Sequence, residues 1–181
     1  MPQINLPSSG HRKVPPVVYA PGRDKSKKYR FQWLPFTNEK HVALVKAAFA
    51  HINLKVKDHS PCNEAFRSLP GGRSFIDLWH DSNVWISFDP FDDARYFGMR
   101  HTARGFEKEI TLSAHLLSLG MRDVAATLVH ELAHVNGAPA TTTQAEDTLP
   151  LCLFDDLYRK ELIGRHKNLV NANGLFTVLH V

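Results

Sequence analysis

The chain has 181 residues, 43% of them hydrophobic, and carries 22 Lys and Arg against 18 Asp and Glu for a net charge of +4. That is enough apolar sequence for one domain with its own core. No run approaches the roughly 18 consecutive apolar residues of a membrane helix, and Met1-Pro2-Gln3-Ile4-Asn5-Leu6-Pro7 has no basic stretch leading into an apolar one, which excludes a conventional secretory signal.

The charge is unevenly placed. Residues 1–30 hold Arg12, Lys13, Arg23, Lys25, Lys27, Lys28 and Arg30 against Asp24 alone, a local +6 that leaves about −2 for the remainder. The same stretch contains Pro2, Pro7, Pro15, Pro16 and Pro21, so it reads as a basic, Pro-rich N-terminal arm (1–30) ahead of a body at 31–181. Such an arm can touch nucleic acid or a membrane surface. A solvated linker, or a strap lying over the body, is the simpler reading.

Thr37-Asn38-Glu39-Lys40 opens a helix that runs to Phe49, with Val42, Val45, Ala48 and Phe49 at helical spacing. A short helix is expected over 62–69, closed by Pro70-Gly71-Gly72. Residues 83–88 alternate like a strand and end at Asp89-Pro90. Residues 91–106 are polar, aromatic and turn-rich, and 109–112 is a second strand. Helices mixed with a few strands make the fold class α+β. Cys62 and Cys152 are far apart and stand in no C-x-x-C pattern. Two unpaired buried thiols are the default expectation, with a single disulfide the alternative in an oxidising compartment.

Residues 113–120 lead into a helix at about 121–136, which carries the most informative feature of the chain. His130-Glu131-Leu132-Ala133-His134 is an H-E-x-x-H motif. Histidines four apart on a helix lie one above the other on one face, so both imidazoles can reach a single Zn2+. Glu131 stands beside them as general base for a metal-activated water. The flanking Leu, Val and Ala place the motif on a buried helix, where the polar triplet needs compensation that a metal supplies. Asp123 suits the first turn and Gly137 the left-handed terminus.

A catalytic zinc takes three protein ligands and keeps one position open. The longer motif H-E-x-x-H-x-x-G-x-x-H would put the third ligand at residue 140, which is Ala140, although Gly137 fits. A Gly/Thr-rich loop at 137–143 is followed by helical sequence at 144–163, with Pro150 as a break or a first-turn residue, and the tail 174–181 is a candidate strand. Glu146 is the first acidic residue after the motif, and similarity to the thermolysin-like pattern, which uses a Glu on a following helix, makes it the leading candidate for the third ligand. Thr143-x-x-Glu146 also has capping-box spacing, so a helix cap is the competing role. Asp147 is an adjacent rival, and Glu161, His166 and His180 are further ones. His115 is a candidate hydrogen-bond donor near the site. Likeness to the zincin-type metallopeptidases implies an oxyanion donor at Tyr158 or Arg159; a solvated helix face is the simpler reading.

Over 130–138 the chain resembles the zincin-type metallopeptidases; the match covers that helix and, loosely, the acidic residue downstream. The resemblance implies a compact zincin-like domain with a small sheet packed on the active-site helix, and an edge strand over the site that aligns the substrate backbone, a place 109–112 would fill. The size of the chain and the run Ala-Glu-Asp-Thr-Leu-Pro-Leu-Cys after the motif are similar to small bacterial effector metallopeptidases, some carried by type VI secretion spike proteins. That similarity implies signal-independent delivery into a target cell or periplasm, with a carrier or immunity protein as partner. The leading function is therefore a zinc metallopeptidase acting on a peptide, a protein or the peptide cross-links of peptidoglycan. The rival is a non-catalytic binding module whose basic arm engages nucleic acid or a protein partner.

Overall fold

The computed structural model describes residues 1–11, 13, 15–16, 18–21, 28–92 and 96–154. Along the chain β1 (Gln3–Ile4), β2 (Tyr19–Pro21) and β3 (Lys28–Arg30) precede α1 (Glu39–His51), α2 (Ser60–Arg67) and α3 (Phe75–Trp79). Then come β4 (Trp85–Asp89), β5 (Gly98–Arg100), β6 (Glu109–Ser113), α4 (Ala114–Leu119), α5 (Met121–Val135) and α6 (Gln144–Leu151). The architecture is α+β. A four-stranded mixed sheet has the order β1-β4-β6-β5, with β1 and β6 parallel to β4 and β5 antiparallel to β6. β2 and β3 form a separate antiparallel pair. No helix among the described residues is long and apolar enough to cross a membrane.

The two faces of the sheet follow from the period-two alternation of its strands. Ile86, Ile110 and Leu112 enter the main core with Val45, Phe49, Phe66, Phe75, Leu78, Trp79 and the apolar residues of α5. The opposite face carries Ser87, Thr111 and Glu109 and is covered by N-terminal segments. Asn5 Nδ2 donates to Ser87 Oγ at 3.1 Å, Thr111 Oγ1 donates to the Gln32 carbonyl at 2.8 Å, and Phe31, Tyr96 and Met99 make a second apolar cluster. His11 stacks on Trp85 at 4.1 Å and meets Glu109 Oε2 through Nε2 at 3.0 Å, while His101 Nε2 donates to the Pro16 carbonyl. The N-terminal residues thus strap the sheet and complete it through β1.

Several local expectations hold. α1 starts where Asn38 accepts from the Lys40 N–H, and α2 lies close to the expected short helix. The helical path from α1 continues through a π-helical turn at Ile52–Val56, which the sequence pattern did not announce. α3 was not foreseen either. It is a single turn made by a reciprocal capping box between Ser74 and Asp77.

Four expectations need correction. Strand β6 is not an edge strand: β4 and β5 pair with it on either side and all five of its residues are buried. The edges are β1 and β5, and β5 lies inside the stretch read as turn-rich. Three residues beginning with Gly98 are too few to show alternation. The cysteines are not free thiols, because α2 and the end of α6 pack with their Cα atoms 4.5 Å apart and Cys62 and Cys152 form a disulfide. The helical stretch expected over 144–163 is interrupted, and of the two roles given to Pro150 the break holds: α6 ends at Leu151, one residue later, and Leu153 takes a φ of 69°. Proline has no N–H for the helical ladder and crowds the preceding turn. The fourth correction concerns Thr143, which does not cap α6. The rest of the expected helix and the candidate strand 174–181 lie outside the described residues.

Candidate metal centre

Helix α5 is buried along its length from Val124 to His134. A helix that is apolar on every side belongs in the interior, and the four polar groups brought inside with it or against it define the site. His130, Glu131, His134 and Glu146 are 0%, 1%, 3% and 1% exposed. The two imidazoles converge, with Nε2 to Nε2 at 3.1 Å and ring planes at 80°. Ligand nitrogens about 2.0–2.1 Å from one tetrahedral zinc stand roughly 3.3 Å apart, so this pair fits the ion.

The end of α5 sets the orientation of His134. Gly137 has a φ of 89°, which glycine adopts without strain. The Gly137 N–H donates to the His134 carbonyl and the Ala138 N–H donates to the Ala133 carbonyl, the pairing that closes a helix on a left-handed residue. This turn brings the Ala138 carbonyl 2.8 Å from His134 Nδ1. A carbonyl only accepts, so Nδ1 carries the proton and Nε2, which faces His130 Nε2, is the nitrogen with the lone pair. Asn136 fixes the turn from behind. Its Nδ2 donates to the carbonyls of Phe66 and Arg73, and its main-chain carbonyl accepts from the Gly71 N–H at 2.7 Å. A Cβ on Gly71 would lie 2.5 Å from Asn136 Oδ1, so Gly71 is required by this close approach.

Glu131 faces β5. Gly98 lets that strand come close, since a Cβ there would stand 2.9 Å from Thr127 Cγ2 and 3.4 Å from Glu131 Cγ. Burial pushes the Glu131 carboxyl up to about 8, against the pull of the Arg100 guanidinium and the Arg100 N–H, and the Glu146 carboxylate pushes it further up. Glu131 Oε1 has no hydrogen-bond partner. A buried carboxylate oxygen left bare in this way calls for a ligand.

Glu146 lies in the first turn of α6 and points inward, close enough to Glu131 to affect its ionisation. Burial raises it to about 7, and Oε2 has no partner. The capping-box role fails: the Thr143 hydroxyl donates to Asp147 Oδ2 at 3.0 Å and makes no cap. Asp147 is exposed. Among the described residues no three His, Cys, Asp or Glu side chains stand close enough together to hold a metal ion, so the imidazole pair and Glu146 do not form a complete set. Glu161, His166, His180, Tyr158 and Arg159 lie outside the described residues. His115 sits on α4 against Phe97 and pairs through Nδ1 with Asp92.

Sequence reading missed Arg100, Asn136, Gly98 and Gly71. The Asn136-Gly137 step is a turn signal that marks the helix end, but nothing local marks Arg100 as a neighbour of Glu131. No protein-family model, no curated protein and no solved structure matches the chain.

Proposed function

We propose that the chain is a zinc-dependent peptidase of zincin type. The observation that carries this reading is the convergence of two buried imidazole Nε2 atoms at 3.1 Å on the helix that also places the Glu131 carboxylate, with Oε1 unpartnered, in the interior. His130 and His134 would hold the metal, and Glu146 is the buried carboxylate that the described residues offer as third donor. Zinc bound there would polarise a scissile carbonyl and lower the pKa of a water molecule.

The residues of the chain do the rest. Glu131 takes a proton from the attacking water and returns it to the leaving amine. The Arg100 N–H holds the Glu131 carboxylate in place, and the Arg100 guanidinium favours its charged form. The Ala138 carbonyl keeps the His134 ring from rotating. β5 is the sheet edge next to α5, where an extended peptide could be aligned by main-chain hydrogen bonds. Burial excludes water from the reacting groups and strengthens each of these interactions. A peptide, a protein or the peptide cross-links of peptidoglycan all present the amide this chemistry cuts. In an effector role the enzyme would be delivered by a carrier and restrained in its producer by an immunity protein.

The deciding experiment is metal analysis of protein purified without added metal, together with the same measurement on the His130→Ala, His134→Ala double mutant. About one zinc per chain that disappears in the double mutant is expected. Substoichiometric metal that the double mutant retains would reject the proposal, and zinc without hydrolysis of any peptide pool would reject the peptidase half of it.

A further inference from the structure

We infer that Arg100 is a carboxylate-binding subsite beside the reactive centre, selecting peptides that present an acidic side chain or a free C-terminus next to the cut bond. This deepens the peptidase reading and rests on it. Arg100 closes β5 and shares a strand face with Gly98, the face that looks at Thr127 and Glu131 of α5. Its main-chain N–H is given to Glu131, which fixes the residue beside the general base. Its side chain is half-buried and is acted on by Glu131, which is inside, and by Glu107, which is half-exposed. The half-buried guanidinium is thus felt by one carboxylate inside and one nearer the surface. Among the described residues it has no carboxylate within ion-pair distance, and Glu107 is held elsewhere, accepting from the Gly105 N–H at 2.7 Å.

A half-buried cation without a close counter-ion is costly unless something pairs with it. The planar fork of an arginine matches a carboxylate with two parallel hydrogen bonds. The charges around the site choose among anions. With zinc bound, Glu131 and Glu146 would each carry a negative charge into the site, so a multiply charged phosphate would meet repulsion where a singly charged carboxylate needs one partner. Zinc and Arg100 together would exceed those two carboxylates by one positive charge, which suits a single incoming anion.

The test measures equilibrium binding to full-length, zinc-loaded Glu131→Gln protein, which holds a peptide without cutting it. Three fluorescein-labelled heptapeptide pools differ only in their anionic group: a central Glu with an amidated C-terminus, a central Gln with a free C-terminus, and a central Gln with an amidated C-terminus. One of the first two pools should bind about tenfold tighter than the third, the worth of a charge-assisted hydrogen-bonded pair. Which of them does so identifies the source of the carboxylate. Adding Arg100→Gln should erase the preference, bringing the favoured pool down to the affinity of the neutral one, and Arg100→Lys should keep part of it. Equal affinity for all three pools, no binding of any, or equal weakening of all three by both substitutions would overturn the inference. Turnover of the same pools by the unmutated protein reports separately on the peptidase reading.

Discussion

His134 Nδ1 donates to the Ala138 carbonyl at 2.8 Å, so the turn that ends α5 also decides which nitrogen of that ring faces the site. Helix termination and the tautomer of His134 are here one local feature, and it depends on a residue with no side chain.

Gly137→Ala should therefore damage both. At a φ of 89° an added Cβ costs about 1–2 kcal/mol, and it would also stand 3.2 Å from the Gly71 nitrogen. Urea unfolding should show that loss. Zinc affinity should fall on the order of 10- to 100-fold, as it does when a ligand's supporting hydrogen bond is disturbed. Unchanged zinc affinity in a destabilised variant would show that the Ala138 contact does not matter for the ligand.

Glu131→Gln should keep the fold and the zinc while lowering the hydrolysis rate on the order of 10²–10⁴-fold, the usual worth of a general base. Loss of zinc from this variant would make Glu131 a ligand instead.

Glu146→Ala should cut zinc affinity sharply, whereas Asp147→Ala, at an exposed position bonded to Thr143, should leave it alone. The reverse ranking would place the third ligand on Asp147. Equal indifference to both would send the search to residues 155–181.

The Cys62–Cys152 bond closes a segment with a sequence separation of 90. Replacing both cysteines by alanine should lower stability by about 4 kcal/mol on loop-closure grounds. Zinc affinity should fall with it, because the bond anchors the helix that carries Glu146. Calorimetry with and without reductant, alongside zinc titration, reads both effects.

Glu109 offers a pH test far from the imidazole pair. Burial raises its carboxyl to about 7, with Lys13 pulling the other way. The folded state thus holds a proton that the unfolded chain releases near its ordinary value. The corresponding stability is fully present below about pH 4.5 and is lost as the pH rises through 7. Glu109→Gln should flatten this part of the stability profile, read as the difference between wild type and variant from pH 4 to 8. A parallel pair of curves would refute the assignment.

The motif helix was legible because its signals are local: a 3.6-residue apolar period, two histidines four apart, and a glycine where the chain must turn. The same holds for α1 and for the strand at β4. What was illegible depends on contacts distant in sequence. Asn136 acquires its role only when Phe66 and Arg73 arrive behind it. Arg100 belongs to a three-residue strand with no pattern to read, and the partnership of Cys62 with Cys152 requires knowing that α2 and α6 touch. The choice between Glu146 and Asp147 hung on one residue of helical phase, which the start of α6 at Gln144 sets.

The disulfide also gives the molecule a covalent ring. Arg100, His130, Glu131, His134 and Glu146 all lie between Cys62 and Cys152, so the residues of the candidate site sit inside one closed loop of chain. A single proteolytic nick within that loop leaves every one of these residues tethered to the rest. The nicked protein should run as one species without reductant and as two with it.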